Sequence, residues 1–519
     1  MAWQRLLLLA AAVALTVTAA GAAFQFEEAT LDSIQDGFKN GSLTSTALVR
    51  YYLDQIARLN PQLHAVIEVN PDALRDAARA DAERASGDDY HRASPSSGGL
   101  LHGVPVLVKD LIATRDRLNT TAGSFALLGS VARRDAGVVA RLRRAGAIVL
   151  GKSNLPEWGN MRSARGLHGW SARGGQAMNP YVLEMDPCEA STGSAIAAAA
   201  NMAAVTLGTE TIASILCPAS VNAVVGIKPT VGLTSRSGVI PFTLRQDTVG
   251  PLCRTVADAV HVLDAIVGYD ALDAEATMAA SQYIPKGGYK QFLKIDGLCG
   301  KRIGIPNGFF HFETQTVMTT VYKQHIETMR RYGAIVIENL DIANLSESRD
   351  NTKSGFLVAA PAEFKINLNN YLSNLSDTPV RSLAEIIAFN AIHPVEEKLI
   401  EYDQLLLLLS ESTTGIGPLQ RAAIHRMEEL SANGVEKLMK EHQLDAIFTP
   451  DSSVATVLAY NGLPGIEVPA GYDENGVPFG VTFGGLRGYE PRLIEMAYAF
   501  EQATKVRRPP TGLESECTQ

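Results

Sequence analysis

Val138-Val-Ala-Arg-Leu-Arg-Arg-Ala-Gly-Ala-Ile-Val-Leu150 decides the fold class of this chain. Val138 to Ala145 reads as a helix, Gly146 as the turn that ends it, and Ala147 to Leu150 as a short apolar strand. Helix followed directly by strand is an α/β signature. Working upstream, Gly103 to Val108 is an apolar run with Pro105 near its start, read as a strand that leads into Lys109. Downstream, Gly193 to Ala204 is a helix of small residues, able to pack closely on a sheet, and it feeds the strand-like Val205-Thr-Leu207. Val224 to Ile227 and then Val256 to Val267 continue the alternation. A compact α/β core therefore spans about 100–270.

Outside that core, Thr44 to Leu59 predicts an amphipathic helix, with Leu48, Tyr52, Ile56 and Leu59 at helical spacing. Asp72 to Ala85 predicts a second helix, and Gly87 to Gly99 a polar loop. From about 285 to 445 long helical segments are expected. The run Leu405 to Leu409 reads there as core packing, or alternatively as the wall of a hydrophobic channel. Strand-and-turn texture returns at Ile466-Glu-Val468 and Val477 to Phe483, and a last helix covers Pro491 to Gln502. Early and late segments are expected to share one sheet.

With 46% hydrophobic and 19% charged residues in 519, the chain has a soluble globular composition and material for a large core. Its net charge of −9 argues against nucleic acid as a partner. Short basic runs such as Arg141-Leu-Arg-Arg144 read as a solvated helix face. Met1 to Arg5, the apolar Leu6 to Ala20 and the small residues to Ala23 follow the pattern of a secretory signal. The apolar stretch is short for a membrane span. The expected plan is a leader over 1–23 and a single domain over 24–519, in the secretory pathway. After the leader's removal no stable membrane insertion is expected. Of four N-x-[ST] sequons, Asn40, Asn344 and Asn374 are glycosylation candidates, while Asn119 falls in a segment expected to be packed. Five cysteines at 188, 217, 253, 299 and 517 describe neither a disulfide-built scaffold nor a zinc site.

Two features carry chemistry. Lys109 closes an apolar strand, where desolvation lowers an amine's pKa toward a form able to accept a proton. Ser214 ends the small-residue turn Gly208-Thr-Glu-Thr-Ile-Ala-Ser214, whose successive backbone N–H groups suit an oxyanion hole. A serine with a lysine base is an established nucleophilic pairing. A third segment, Asp186-Pro-Cys-Glu-Ala-Ser-Thr-Gly-Ser194, is a polar turn opening the small-residue helix. It is read as an ordinary N-cap or as a site for negative charge.

The wording of these segments resembles the amidase signature family, closely over about 101–258 and loosely over 27–506. The matching pieces are Leu101-His-Gly-Val-Pro-Val-Leu-Val-Lys-Asp110, Thr120-Thr-Ala-Gly-Ser124, Gly151-Lys-Ser-Asn154, Gly174-Gly175 and Asn179-Pro180. They continue with Val225-Gly-Ile-Lys-Pro-Thr230, Asp247, Gly250-Pro251, Arg254-Thr-Val256 and Leu463-Pro-Gly-Ile-Glu-Val-Pro469. In detail the chain is most similar to plant and fungal secreted-type amidases. The resemblance implies an α/β fold with one large mixed, twisted sheet covered by helices on both faces. It also implies a Ser–cis-Ser–Lys hydrolase that cleaves small-molecule carboxylic amides through an acyl-enzyme, without metal or cofactor. Lys109 falls on the family's base and Ser214 on its nucleophile. The backbone N–H groups of Thr211, Ile212, Ala213 and Ser214 fall on the oxyanion hole. The region 285–445 is where substrate choice is expected to vary.

At the bridging serine, which the family holds by a cis peptide, this chain has Ala190. Ser191 aligns with the neighbouring serine, and would become a substitute relay only with a local shift in register. Ile212 and Ala213 replace an expected Asp-Gly or Gly-Gly pair. Branched Ile212 is expected to strain the turn, and Ala213 to be tolerated if its φ is negative. The resulting expectation is an amidase of reduced activity. The alternative is a catalytically inactive relative that binds a ligand or partner through the same cleft. Glutamine amidases that act on mischarged transfer RNA share the family core, but the leader and the acidic charge disfavour that reading. Cys188 and Cys217 flank the two halves of the site, where buried free thiols are the preferred reading and an approach of the two to each other is the alternative. His102 is read as a structural hydrogen-bonder, and Glu157 and Asp247 as residues that orient loops.

Overall fold

The computed structural model describes residues 23–86 and 100–513. The leader over 1–23, all but its last residue, the polar loop 87–99 and Cys517 lie outside them. Thirteen strands occur in chain order: β1 Val66–Val69, β2 Pro105–Lys109, β3 Ile148–Ser153, β4 Trp170–Ser171, β5 Gly175–Gln176, β6 Val205–Glu210 and β7 Val225–Lys228. They continue with β8 Thr248–Cys253, β9 Arg302–Pro306, β10 Ile335–Leu340, β11 Ala446–Pro450, β12 Gly465–Tyr472 and β13 Pro478–Gly484. Eleven form one sheet in the order β1-β3-β2-β6-β8-β7-β12-β13-β11-β9-β10, while β4 and β5 make a separate small hairpin.

Every residue of β2, β3, β6, β8 and β13 is buried, so helices or loops cover both faces of the sheet. The decisive segment forms helix Gly137–Arg144 and then β3, which lies parallel to β2. Parallel neighbours need a crossover, and this helix supplies it. β2 is also parallel to β6, and β6 is antiparallel to β8. Early and late segments share the sheet, joined where β12 pairs with β7.

Three expectations change. The small-residue helix is shorter than its composition suggests, running only Thr192–Ala199, because Asn201 turns left-handed at φ 60°. The stretch from 285 to 445 is not purely helical: β9, helix Val317–Arg331 and β10 form a parallel strand–helix–strand unit at the sheet edge. The leucine run opens a short helix, Leu405–Glu411, that buries Leu407 and leaves Leu405, Leu408 and Leu409 exposed. A helix lying on a surface buries one stripe only, so the run is neither a full core block nor a wall of the central cleft. Among the described residues no helix is long and apolar enough to cross a membrane.

Candidate active site

β2 delivers Lys109 at its C-terminal end, directly beside β6. The lysine is 1% exposed. Its Nζ donates to Ser191 Oγ at 3.1 Å, to Thr209 Oγ1 at 2.9 Å and to the Thr209 carbonyl at 3.2 Å. Burial pushes its pKa down to about 7, while the carboxylates of Glu189, Glu210 and Asp247 pull in the opposite direction. An amine in that range is largely neutral at mildly alkaline pH.

Ser214 lies in the turn between β6 and helix Leu216–Val221, 7% exposed, with its Oγ 3.3 Å from the Ile212 carbonyl. The turn is held from beneath by Glu210, whose Oε2 accepts from Ile215 N at 2.6 Å and Leu216 N at 2.9 Å, with the Ala213 N–H also directed to the carboxylate. The N–H groups of Ile212 and Ser214 have no hydrogen-bond partner among the described residues. From the side, Asp247 accepts from Thr211 Oγ1 at 2.6 Å and from Phe242 N at 2.8 Å. Desolvation raises Asp247 to about 6.

Ile212 and Ala213 behave oppositely to expectation. Ala213 has φ 61°, the left-handed region that costs a Cβ-bearing residue about 1–2 kcal/mol. Ile212 is not in that region, and its side chain packs with the cluster of Phe356, Ala359, Ala360 and Met427 on the helical region. The strain therefore sits at Ala213, while Ile212 anchors the turn to its neighbours.

The opposite wall is the turn before helix Thr192–Ala199. Ala190 is buried and lines a cleft of about 420 Å³ including its open mouth, together with Lys109, Thr209, Thr211, Ser214 and Asp247. Lys109 and Ser214 thus line one cavity, and the side chain that Ala190 brings to it is a methyl group. Ser191 has Oγ contacts to the Thr209 carbonyl at 3.0 Å, to Thr209 N at 3.2 Å and to Lys109 Nζ. A hydroxyl has one proton and two lone pairs, so these three contacts occupy it. Ser191 N donates to the Ser214 carbonyl at 3.0 Å, which joins the two turns through backbone. The described peptide bonds are all trans; the turn at 188–190 is instead made by left-handed Cys188 at φ 64° and Glu189 at φ 50°.

Cys188 and Cys217 form a disulfide, correcting the expectation of free thiols. Their Cα atoms lie 5.7 Å apart because the Ser191–Ser214 backbone contact has already brought the two turns together. Cys253 is free and buried, and Cys299 is free and exposed.

Three contributors escaped the sequence reading. Thr209 and Glu210 complete the strand before the Ser214 turn, and Glu189 places a carboxylate near the lysine. A carboxylate at the end of an apolar strand is itself a signal, since burial demands donors. His102 contacts Glu83 Oε2 at 2.9 Å and Arg84, on the far side of β2's start. Glu157 accepts from Ala172 N at 2.8 Å and from Arg162 Nη1 at 2.6 Å, holding the loop that brings Trp158 to the cleft.

Set against known proteins, the amidase family model matches residues 47–459. A probable amidase of Arabidopsis thaliana is 56% identical over 489 residues, 94% of this chain and 92% of that protein. The native peptide amidase of Stenotrophomonas maltophilia superposes with a TM-score of 0.86 at 41% identity, covering 94% of this chain and 99% of that one. An amidase family protein from Bacillus anthracis superposes with a TM-score of 0.85 at 35% identity, over 94% of this chain and 93% of that one. The chain belongs to the amidase family, and amide hydrolysis is the reaction class these likenesses support.

Proposed function

We propose that this chain is a slow amidohydrolase of peptidic carboxamides, working through an acyl-enzyme on Ser214 with Lys109 as base. The observation that carries the reading is the single cleft lined by both Lys109, with its depressed amine, and Ser214. In the forward step Ser214 Oγ adds to the amide carbon while its proton passes through solvent in the cleft to Lys109 Nζ. The N–H groups of Ile212 and Ser214 face the oxyanion. The C–N bond then breaks as the proton returns to the departing nitrogen, and water hydrolyses the ester by the same route in reverse. Ala190 makes this relay indirect, because a methyl group neither donates nor accepts. Ser191 acts in this reading as the lysine's anchor, its hydroxyl being committed to Lys109 and Thr209. The peptide preference is supported by the 41% identity to a peptide amidase.

The site departures favour a second reading, a cleft that binds an amide without turning it over. Labelling with a serine-reactive fluorophosphonate separates the two. Slow covalent modification that Ser214→Ala abolishes, with ammonia released from a peptide amide, supports the enzyme. No modification at saturating probe, in protein that still binds the amide, supports the binder.

We also infer that the protein works in the secretory pathway. The leader pattern motivates this, and a disulfide at the site suits an oxidising compartment. Asn40, Asn344 and Asn374 are exposed, as glycan acceptors must be, whereas Asn119 is half-buried against Glu68. Retention of a tagged chain in the cytosol, with no glycosidase-sensitive mass, would overturn the assignment.

A further inference from the structure

A second cavity, of about 1130 Å³ including its open mouth, adjoins the cleft. Arg236 lines both spaces. The segment it begins is a partition: Val239 to Phe242 face the catalytic cleft, while Ser237, Gly238 and Leu244 face the outer cavity. Arg133, Arg134, Asp273, Asn370, Tyr371 and Asn374 complete the polar part of the outer lining.

The charges in this cavity do not balance. Arg236 is neutralised by Asp273, through Nε to Oδ2 at 2.8 Å and Nη2 to Oδ1 at 2.5 Å. Arg133 and Arg134 are exposed and have no carboxylate partner among the described residues. The acid next to them in sequence, Asp135, is committed elsewhere: its Oδ1 accepts from Arg115 N at 2.6 Å and its Oδ2 lies 3.0 Å from Arg143 Nε. Their loop is also fixed in place. Val131 N donates to the Asp377 carbonyl at 2.8 Å, Ser376 N to the Val131 carbonyl at 2.9 Å, and Ser130 Oγ lies 2.9 Å from Thr378 Oγ1. Two unpaired guanidinium groups held at the rim of a cavity beside a catalytic cleft form an anion subsite.

We propose that this outer cavity binds the carboxylates of an acidic peptide amide whose carboxamide end enters the cleft. The proposal rests on the peptidic-amide reading above and names the part of the substrate remote from the scissile bond. Arg133 and Arg134 supply the charge, and the amide of Asn370 supplies neutral hydrogen bonds beside it.

The test is equilibrium binding to the Ser214→Ala chain, where turnover cannot interfere. The probes are acetyl-Asp-Asp-Phe-amide and its diasparaginyl counterpart. At low ionic strength the acidic peptide is expected to bind about tenfold tighter, an advantage that shrinks as salt is raised. Arg133→Ala combined with Arg134→Ala should equalise the two peptides. Both arginines are exposed, so their removal leaves the fold intact. Equal affinities in the unmodified subsite, a preference that survives the double substitution, or no binding of either peptide would each overturn the proposal. The catalytic reading fails on different evidence: fluorophosphonate labelling that persists in Ser214→Ala would sink it while leaving a charge-dependent binding result untouched.

Discussion

In the proposed mechanism Lys109 sets the pH behaviour of the site. A base must be neutral to accept a proton, and burial brings this one down to about 7. Peptide-amide kcat/KM is therefore expected to rise with pH through about 7 and level above it, and Lys109→Met should remove that limb. The stability consequence has a definite sign. The folded lysine releases its proton well below the unfolded value of 10.5, so the unfolded chain binds more protons between about 7 and 10.5 and stability rises with pH across that window. Replacing Lys109 by methionine should thus be most favourable to stability below pH 7 and lose its advantage toward pH 10, read by denaturant titration at both ends. At the neighbouring position, Ala190→Ser supplies a hydroxyl to the cavity that amine and nucleophile share. Direct acid–base assistance is commonly worth about 10²–10⁴-fold, and kcat/KM should climb within that range. An unchanged rate would mean that Ala190 does not limit the reaction, and would turn attention to Ile212, Ala213 and the cleft's acceptance of amides. Ala213 carries about 1–2 kcal/mol of left-handed strain, against which glycine's extra unfolded-state entropy is about 0.5–1 kcal/mol. Ala213→Gly is accordingly expected to raise stability by about 0.5–1 kcal/mol, measured by urea unfolding.

At the scale of elements, two turns make the site and the Cys188–Cys217 bridge ties them, one before the lysine's anchor and one after the nucleophile. The bridge closes a loop of 29 residues, for which chain entropy predicts about 3–4 kcal/mol of stabilisation. Cys188→Ala with Cys217→Ala should lower stability by about that amount and reduce fluorophosphonate labelling of Ser214, since the turns then meet only through hydrogen bonds of Ser191 to Ser214 and Thr209. Labelling that is unaffected would show that those hydrogen bonds alone suffice. What sequence could reveal divides along the same lines. Lys109 and Ser214 were legible because a lysine on a strand such as Val104-Pro-Val-Leu-Val108 is anomalous and a serine in a small-residue turn is recognisable. The pairing of Cys188 with Cys217 was not, because it depends on β6 and the small-residue helix returning to one place. β9 and β10 were missed for a local reason. β10 is an edge strand, exposed at Ile335, Glu338 and Asn339, so its pattern lacks the apolar continuity that marks β2 or β6. Ile212 was misjudged for the converse reason: its partners Phe356 and Met427 lie over a hundred residues away, beyond any local pattern.

Across the whole molecule, the question is what keeps the helical region seated on the sheet core beside the cleft. Arg162 answers it with a fully buried ion cluster. Its Nη1 donates to Glu157 Oε2 at 2.6 Å and to Glu397 Oε2 at 3.0 Å, with none of the three side chains exposed. Its Nη2 also donates to the Glu397 carbonyl. Glu397 Oε1 in turn accepts from Ser124 Oγ and Phe125 N, both at 2.9 Å, so a glutamate of the variable region is locked into the core's Thr120–Ser124 segment. One guanidinium serves two carboxylates, and desolvation with the Glu397 charge raises Glu157 well above the ordinary range. Arg162→Gln would leave both acids buried without a cation. Losing one member of a buried ion cluster typically costs about 3–5 kcal/mol, and that loss is expected near pH 8. Acid should relieve it: with the guanidinium gone, the already raised Glu157 carboxyl is raised further and holds a proton that the unfolded chain has released, so lowering pH toward 5.5 favours the folded variant. The deficit measured against the unmodified chain should therefore shrink between pH 8 and 5.5. Because Glu157 precedes Trp158 at the cleft wall, labelling of Ser214, taken relative to the unmodified chain at the same pH, should be weakened at pH 8 and recover toward pH 5.5. A deficit independent of pH would mean that Arg162 contributes packing and its contact to the Asp403 carbonyl, and that charge does not seat the helical region.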